Sequence, residues 1–361
     1  MKKIRILVVG CGHMGASHAR AYIQIPQFEI AGLVSRGEKS RTALAQALGL
    51  KDVPLYSDYH TALKSARPDA VCIATYPDTH EEFALAAFHS GAHVFIEKPI
   101  ATTVDGAENV VAAARRAGKK LVIGYILRHH PSWKKFVEIA QSLGKPLVMR
   151  MNLNQQSSGN EWYVHKNLMQ SLAPMVDCGV HYVDIMCLMT GSTPVKINGI
   201  SARLTDEIPP GQTNYGQLQV VFADGSVGWY EAGWGPMMSE EAFFIKDVIG
   251  PKGSVSMLAK KLDAASDDVG AHTKTNALRI HHAELGPDGK FARKDVLLDT
   301  TSEPDHDELC RLEQEYFLRS ITENLDLGDH MRDAVNSLRI VLEAQANSLR
   351  QPPLAASATA Q

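Results

Sequence analysis

Apolar residues cluster at Ile4, Ile6, Leu7, Val8 and Val9 and then recur at helical spacing as Ala16, Ala19, Ala21, Tyr22 and Ile23. The first pattern predicts a buried strand and the second a helix. The alternation continues. Phe28 to Ser35 reads as a strand, and Ser40 to Leu48 as a helix stopped by Gly49. Tyr56-Ser57-Asp58 opens a helix over 59–66, Ala70 to Ala74 is a strand, and a helix starts near Thr79. His93 to Ile96 is a strand, Val104 to Ala117 a helix and Leu121 to Ile123 a strand. Strands separated by helices at this spacing predict an α/β fold with a parallel, doubly wound sheet of about six strands.

From Pro146 the texture changes. Pro146 to Asn154, Val195 to Leu204, Gln217 to Phe222, Ser226 to Trp234, Phe243 to Gly250 and Ser254 to Leu258 read as strands. Ala223-Asp224-Gly225-Ser226 is a hairpin turn, and a helix from Gly179 to Met189 interrupts the series. This half is expected to be α+β, a mostly antiparallel open sheet with helices on one face. Leu309 to Asn324 and Met331 to Arg350 read as amphipathic helices, 264–273 as a mobile loop and 351–361 as a disordered tail. The expected domains are 1–126, binding nucleotide, and 127–350, binding substrate and mediating oligomerisation. A length of 361 residues agrees with two cores.

Composition narrows the partners. Hydrophobic residues make up 45% and charged residues 21%, and the net charge is -3, so neither nucleic acid nor an anionic membrane is expected as partner. Met1-Lys2-Lys3 leads straight into the first strand and no apolar run is long enough to span a bilayer, so a cytoplasmic protein is expected. Cys11, Cys72, Cys178, Cys187 and Cys310 include no Cys-x-x-Cys pair, which argues against disulfides and structural zinc. The doublets His129-His130 and His281-His282 read as loop or surface residues, and no resident metal is expected.

Three stretches carry chemistry. Gly10-Cys11-Gly12-His13-Met14-Gly15 joins the first strand to the first helix in the Rossmann pattern. There the first glycine makes the turn, the second admits a pyrophosphate and the third lets helix and strand approach. The next strand end, which often carries an acid for the ribose of NAD, has Ser35-Arg36, with Lys39 and Arg41 nearby; this favours NADP over NAD slightly. Glu97-Lys98-Pro99 ends a later strand, where Lys98 can donate to a substrate hydroxyl. Asp177-Cys178-Gly179-Val180-His181 places a carboxylate and an imidazole one helical turn apart, a competent general base near neutral pH, although Asp177 could equally cap the helix. Trp229, Tyr230 and Trp234 lie with Glu231 on one strand, a pattern for core packing or a subunit interface more than for sugar stacking.

With these motifs in place, the chain resembles the Gfo/Idh/MocA oxidoreductases over nearly its whole length. Gly10 to Gly15 is similar to the family's nucleotide loop, Thr75 to His80 to its next cofactor-side turn, Glu97-Lys98-Pro99 to its lysine motif and Asp177-x-Gly179-x-His181-x-x-Asp184 to its catalytic helix. Arg128 to Pro131 and Gly250 to Ser254 also look like family segments. Leu172-Ala173-Pro174 departs from a glycine pair common there.

The resemblance implies hydride transfer between a secondary alcohol of a sugar, cyclitol or glycoside and NAD or NADP. It implies catalysis by Lys98, Asp177 and His181, with Asp177 holding either the substrate or the histidine. Cofactor contacts are expected from Gly10, Gly12, His13, Met14, Gly15, Ser35, Arg36, Thr75, Pro77, His80, Glu97 and Lys98. Beside Lys98, Asp177 and His181, substrate contacts are expected from Asn154, Gln156, Tyr163, His165 and Lys166. The resemblance also implies a dimer or tetramer formed through the second sheet. Two other functions fit the motifs: glycoside 3-oxidation or redox-assisted glycoside cleavage with a retained cofactor, and non-catalytic sensing of nicotinamide or sugar.

Overall fold

The structure is a computed structural model, which describes residues 3–239, 244–259 and 275–349. The expected loop at 264–273 and tail at 351–361 lie outside the described residues. The chain forms two compact units: 1–138, 260–278 and 298–338 in unit 1, and 139–259, 279–297 and 339–361 in unit 2, as far as these are described. Residues 298–338, assigned from sequence to the second domain, return to the first.

In unit 1 the chain alternates β1 (Ile4–Val9), α1 (His13–Gln24), β2 (Phe28–Val34), α2 (Glu38–Ala47), β3 (Leu55–Tyr56), α3 (Tyr59–Ala66), β4 (Ala70–Ile73), α4 (His80–His89), β5 (His93–Ile96), α5 (Val104–Ala117) and β6 (Leu121–Ile123). The sheet order is β3-β2-β1-β4-β5-β6, and every pairing is parallel. Strands covered on both faces must be apolar throughout, and all four residues of β4 are buried. Strand order reverses between β1 and β4, which makes the carboxyl ends of these strands the place for a ligand. Asp58 and Thr103 cap α3 and α5 by accepting from the Thr61 and Gly106 amides.

The next elements are α6 (Pro131–Ser142), β7 (Val148–Gln156), α7 (Gly159–Leu168), α8 (Pro174–Asp177), α9 (Gly179–Thr190), β8 (Pro194–Ala202), β9 (Tyr215–Phe222), β10 (Val227–Gly235), β11 (Lys246–Gly250), β12 (Gly253–Ala259), β13 (Thr275–His282) and β14 (Val296–Asp299). The sheet runs β14-β13-β12-β11-β7-β10-β9-β8. It is mostly antiparallel, with β7 and β10 parallel at its centre. Tyr230 and Ala232 turn inward on β10 whereas Trp229 and Glu231 are half-exposed, the period of two expected of a sheet covered on one side. Helix α7 and strands β13 and β14 carry no strong apolar periodicity and were not anticipated; α6 was not anticipated either, although Trp133, Phe136, Val137 and Ala140 recur in it at helical spacing.

Two last helices, α10 (His306–Thr322) and α11 (Gly328–Leu349), close the chain. Both pack on unit 1, α11 through its first turns. Gln314 of α10 accepts from the Tyr22 hydroxyl at 2.6 Å, and Phe317 stacks on Phe28. On α11, Asp333 pairs with Arg128 at 2.9 Å, and the Ile123 amide donates to His330 Nε2. His129 and His130, expected at the surface, are both buried, and His129 lies against Tyr316. The polar spelling of 128–133 disguises a segment that α10 covers.

Candidate active site

At the turn after β1 the three glycines differ in what fixes them. Gly10 has φ +97°, and a Cβ there would fall 2.2 Å from the Ala74 carbonyl oxygen. A Cβ on Gly15 would fall 1.8 Å from the Gly10 carbonyl oxygen. Both are glycine because backbone occupies the side chain's place. A Cβ on Gly12 would meet nothing within 4 Å. The first turn of α1 contains no acid, and Gly12 caps it without a side-chain hydrogen bond. Its amides and this open flank suit an anion that approaches the backbone closely, so the loop fits a dinucleotide diphosphate. His13 is exposed and Met14 half-buried beside it.

Neighbouring strand ends carry the other expected cofactor residues. Ser35 Oγ lies 3.0 Å from Ser40 Oγ, and Arg41 donates to the Ser35 carbonyl, while the Arg36 side chain is exposed. Past β4, Thr75 and Thr79 join their hydroxyls at 2.7 Å around Pro77. His80 lies fully buried between the carbonyls of Pro99 (2.7 Å) and Thr75 (3.1 Å), and burial lowers its pKa. With both ring nitrogens at backbone carbonyls, His80 ties the Thr75 turn to the Lys98-Pro99 turn.

Glu97 is turned inward too. Its carboxylate bonds to His18 Nε2 at 2.6 Å and accepts from the Lys98 amide at 3.2 Å. Burial pushes this carboxyl up, but the His18 hydrogen bond and the charges of His18, Lys98 and His80 outweigh it, so the pKa lies below the ordinary value. His18 Nδ1 faces Gln314 Nε2 at 3.0 Å. Glu313 lies buried beside this network with no hydrogen-bond partner on Oε1 among the described residues. Burial and the Glu97 charge raise its pKa well above the usual range. Glu97, expected at the cofactor, therefore positions the Lys98 backbone from below, and Lys98 itself is half-exposed. His18, Glu313 and Gln314 escaped notice in the sequence, although His18 and Tyr22 at i and i+4 place polar groups on the buried stripe of α1.

Ligand atoms of His18, Cys310 and Glu313 lie within 4.8 Å of one another. They do not fit a metal. Both His18 nitrogens are engaged by Glu97 and Gln314, and burial together with the Glu97 charge opposes ionisation of Glu313.

In unit 2, α8 ends at Asp177 and α9 begins at Gly179, with Cys178 right-handed between them. The two are nearly one helix, so Asp177 and His181 sit one turn apart. The cap of α8 is Ala173, so Asp177 does not serve as a cap. A Cβ on Gly179 would come 3.2 Å from Tyr230 and Val341, so glycine seats this helix on the sheet. Val180, Tyr182 and Val183 are buried, while Asp177 and His181 are half-buried.

The other expected substrate residues divide. Tyr163 is 61% exposed and free to reach a ligand. Asn154 donates to Glu231 at 2.6 Å, Gln156 to the Met238 carbonyl at 2.9 Å and Lys166 to Glu207 at 2.6 Å. His165, expected at the substrate, is buried, stacked on Trp234 at 4.4 Å and bonded to Ser157 at 3.0 Å; burial lowers its pKa to about 4. Trp234 packs with Trp162, Met169 and Ile208 in a core cluster. Lys246 was missed: it is buried, donates to the Asn152 carbonyl and lies over the rings of Phe244 (4.1 Å) and Tyr182 (5.0 Å). Burial lowers its pKa to about 7.

A parallel sheet ordered 3-2-1-4-5-6, with a glycine turn at its point of reversal, defines a dinucleotide-binding α/β protein. Residues 4–125 match the oxidoreductase family with an NAD-binding Rossmann fold, and residues 134–256 match the GFO/IDH/MocA C-terminal domain. The chain belongs to the Gfo/Idh/MocA oxidoreductase family. It is 28% identical over 187 residues to an inositol 2-dehydrogenase of Paracoccus denitrificans, covering 51% of this chain and 53% of that protein. It is 31% identical over 210 residues to inositol 2-dehydrogenase 2 of Saccharopolyspora erythraea, covering 55% and 58%. The match thus spans little more than half the length of these relatives. The fold also matches the structure of UDP-N-acetylglucosamine 3-dehydrogenase GnnA from Acidithiobacillus ferrooxidans, with a TM-score of 0.74 and 21% identity over 97% of this chain and all of that one.

Proposed function

We propose that this protein is an NAD(P)-dependent dehydrogenase of a secondary alcohol in a cyclitol or sugar. The observation that carries the reading is Gly12, whose open flank no packing demands, on a chain whose two halves both match one oxidoreductase family. The nicotinamide coenzyme supplies a hydride acceptor or donor. His181 takes the hydroxyl proton, and Asp177, one turn earlier, stabilises the imidazolium or holds the substrate. Lys98 donates to a substrate hydroxyl and favours its alkoxide. The buried Glu97 and His80 hold the Lys98-Pro99 turn in place. Tyr163, Asn154 and Glu231 contribute to choice of substrate, and the named relatives support a cyclitol first.

Ser35, the exposed Arg36 and nearby Lys39 favour the 2'-phosphate of NADP, since only Glu38 in this stretch would repel it. We place the protein in the cytoplasm as a homo-oligomer. Val148, Val227 and Ile249 are exposed on adjacent strands beside the half-exposed Trp229, and they support a subunit interface on the open face of the second sheet. A single-chain mass by light scattering would sink that assembly. No helix among the described residues is long and apolar enough to cross a membrane.

The test is a screen of inositols, sugars and glycosides by nicotinamide absorbance with each coenzyme. His181→Ala and Lys98→Ala should each lower kcat by about a hundredfold or more while coenzyme binding persists. Full turnover in both variants would remove the roles assigned here. Turnover without added coenzyme would point instead to a retained cofactor.

A further inference from the structure

His13, the first residue of α1, and His306, the first residue of α10, stand 5.5 Å apart between ring centroids, tilted by 50°. The contact follows from how the two helices pack. Arg20 forks onto Asp307 at 2.8 and 3.0 Å, and Tyr22 and His18 both reach Gln314. His13 meets His306 at the two helix starts and Tyr22 meets Gln314 about two turns on, so α1 and α10 start side by side. His13 is exposed and directly follows Gly12, whose flank is open. His306 Nδ1 lies 3.9 Å from both Cys310 Sγ and Asp307 Oδ1, and its Nε2 has no hydrogen-bond partner among the described residues. Position 306 falls beyond both segments that match the family, 4–125 and 134–256.

We propose that His306 is a further cofactor-binding residue, donating from Nε2 to the diphosphate of a dinucleotide held at Gly12, with His13 beside it as the second imidazole. The proposal rests on the dinucleotide reading above. The titratable groups around His306 are His13 and His18 of α1, Asp307 and Cys310 of α10 and Glu97 after β5. Arg20 holds Asp307 and His18 holds Glu97, so neither carboxylate confronts the diphosphate as a lone charge. Burial, followed by the His13 charge, lowers the His306 pKa, with Asp307 and Glu97 opposing. Burial thus favours the uncharged ring, which still has one N–H to donate. A diphosphate with two negative charges favours the protonated ring, so binding takes up a proton and affinity rises as pH falls.

The test uses the full chain, titrated with NADH, NADPH, ADP-ribose and adenosine at pH 6 and pH 8. His306→Phe keeps a ring against His13 but cannot donate; it should weaken NADH and ADP-ribose about tenfold or more and leave adenosine unchanged. His306→Gln keeps a donor that cannot titrate, so it should bind more tightly than the Phe variant and gain less than wild type between pH 8 and pH 6. Thermal unfolding controls for the fold; should the Phe variant unfold, the pH slope of the Gln variant decides. Wild-type affinity and pH slope in both variants would overturn the proposal and leave the dinucleotide reading standing. Failure of the wild type to bind either coenzyme would overturn both.

Discussion

At the end of β1 the groups proposed to meet a ligand are backbone amides and a bare Cα, whereas on α8 and α9 they are a carboxylate and an imidazole. The polar side chains around the first region, His18, Glu97, His80 and Gln314, are buried and bonded to one another or to backbone. In the second region the buried faces of the helices are mostly apolar, with Asp184 and Thr190 the polar exceptions, and Asp177 and His181 stay half-buried. A backbone site must be held rigid from beneath, because amides cannot be re-aimed by rotamer. A side-chain site needs only a firm helix. Substitutions should therefore break the first region through stability and the second through chemistry.

The largest effect is expected at Gly15. Gly15→Ala places a methyl on the Gly10 carbonyl and should cost about 4 kcal/mol or more in denaturant unfolding. Gly12→Ala should leave that midpoint nearly unchanged and instead weaken coenzyme binding more than about tenfold. Equal stability losses at the two positions would erase the distinction between packing glycine and ligand glycine.

Next comes His18→Ala, which strips Glu97 of its buried partner and should cost about 3–5 kcal/mol. A loss below about 1 kcal/mol would show that the network beneath Lys98 is slack. In unit 2, His181→Ala should change the unfolding midpoint little while it abolishes turnover.

Glu313 sharpens the comparison by pH. Its folded pKa is raised, so above the unfolded value near 4.3 the folded state retains a proton that the unfolded state has lost. Its contribution to stability is thus fully present below that pH and falls as pH rises toward the folded value, by up to about 1.4 kcal/mol per unit. Glu313→Gln should be progressively more stable than wild type from pH 5 to pH 8. A constant difference over that range would mean that the carboxyl is ionised in the fold.

The smallest effect is Asp307→Asn. Both partners of the Arg20 pair are about half exposed, so the loss should stay below about 1 kcal/mol in urea unfolding. A larger loss would make this pair a true clamp between α1 and α10.

Much of this was legible in residue order. The alternation from Ile4 to Ile123 predicted the parallel sheet because buried strands and amphipathic helices each leave a periodic trace. Gly10-x-Gly12-x-x-Gly15 predicted the turn because backbone there excludes any other residue at two of the three positions. That Asp177 and His181 lie one turn apart was legible because a spacing of four is geometry within one helix. Among the described residues, β13 and β14 were not legible, since their half-exposed, mixed residues leave no clean alternation.

Tertiary structure alone decided which polar residues are ties and which remain for a ligand. Glu97 and Lys98 are neighbours in the chain, yet only the packing of α1 and α10 commits the first to His18. His165 looks like a ligand residue until Trp234, 69 positions later, stacks on it. Residue 306 acquires its place beside His13 in the same way. Local order fixes periodicity and turns, which depend on neighbours within a few residues. The fate of a single polar side chain depends on burial and partners brought from far along the chain, and only the folded arrangement supplies those.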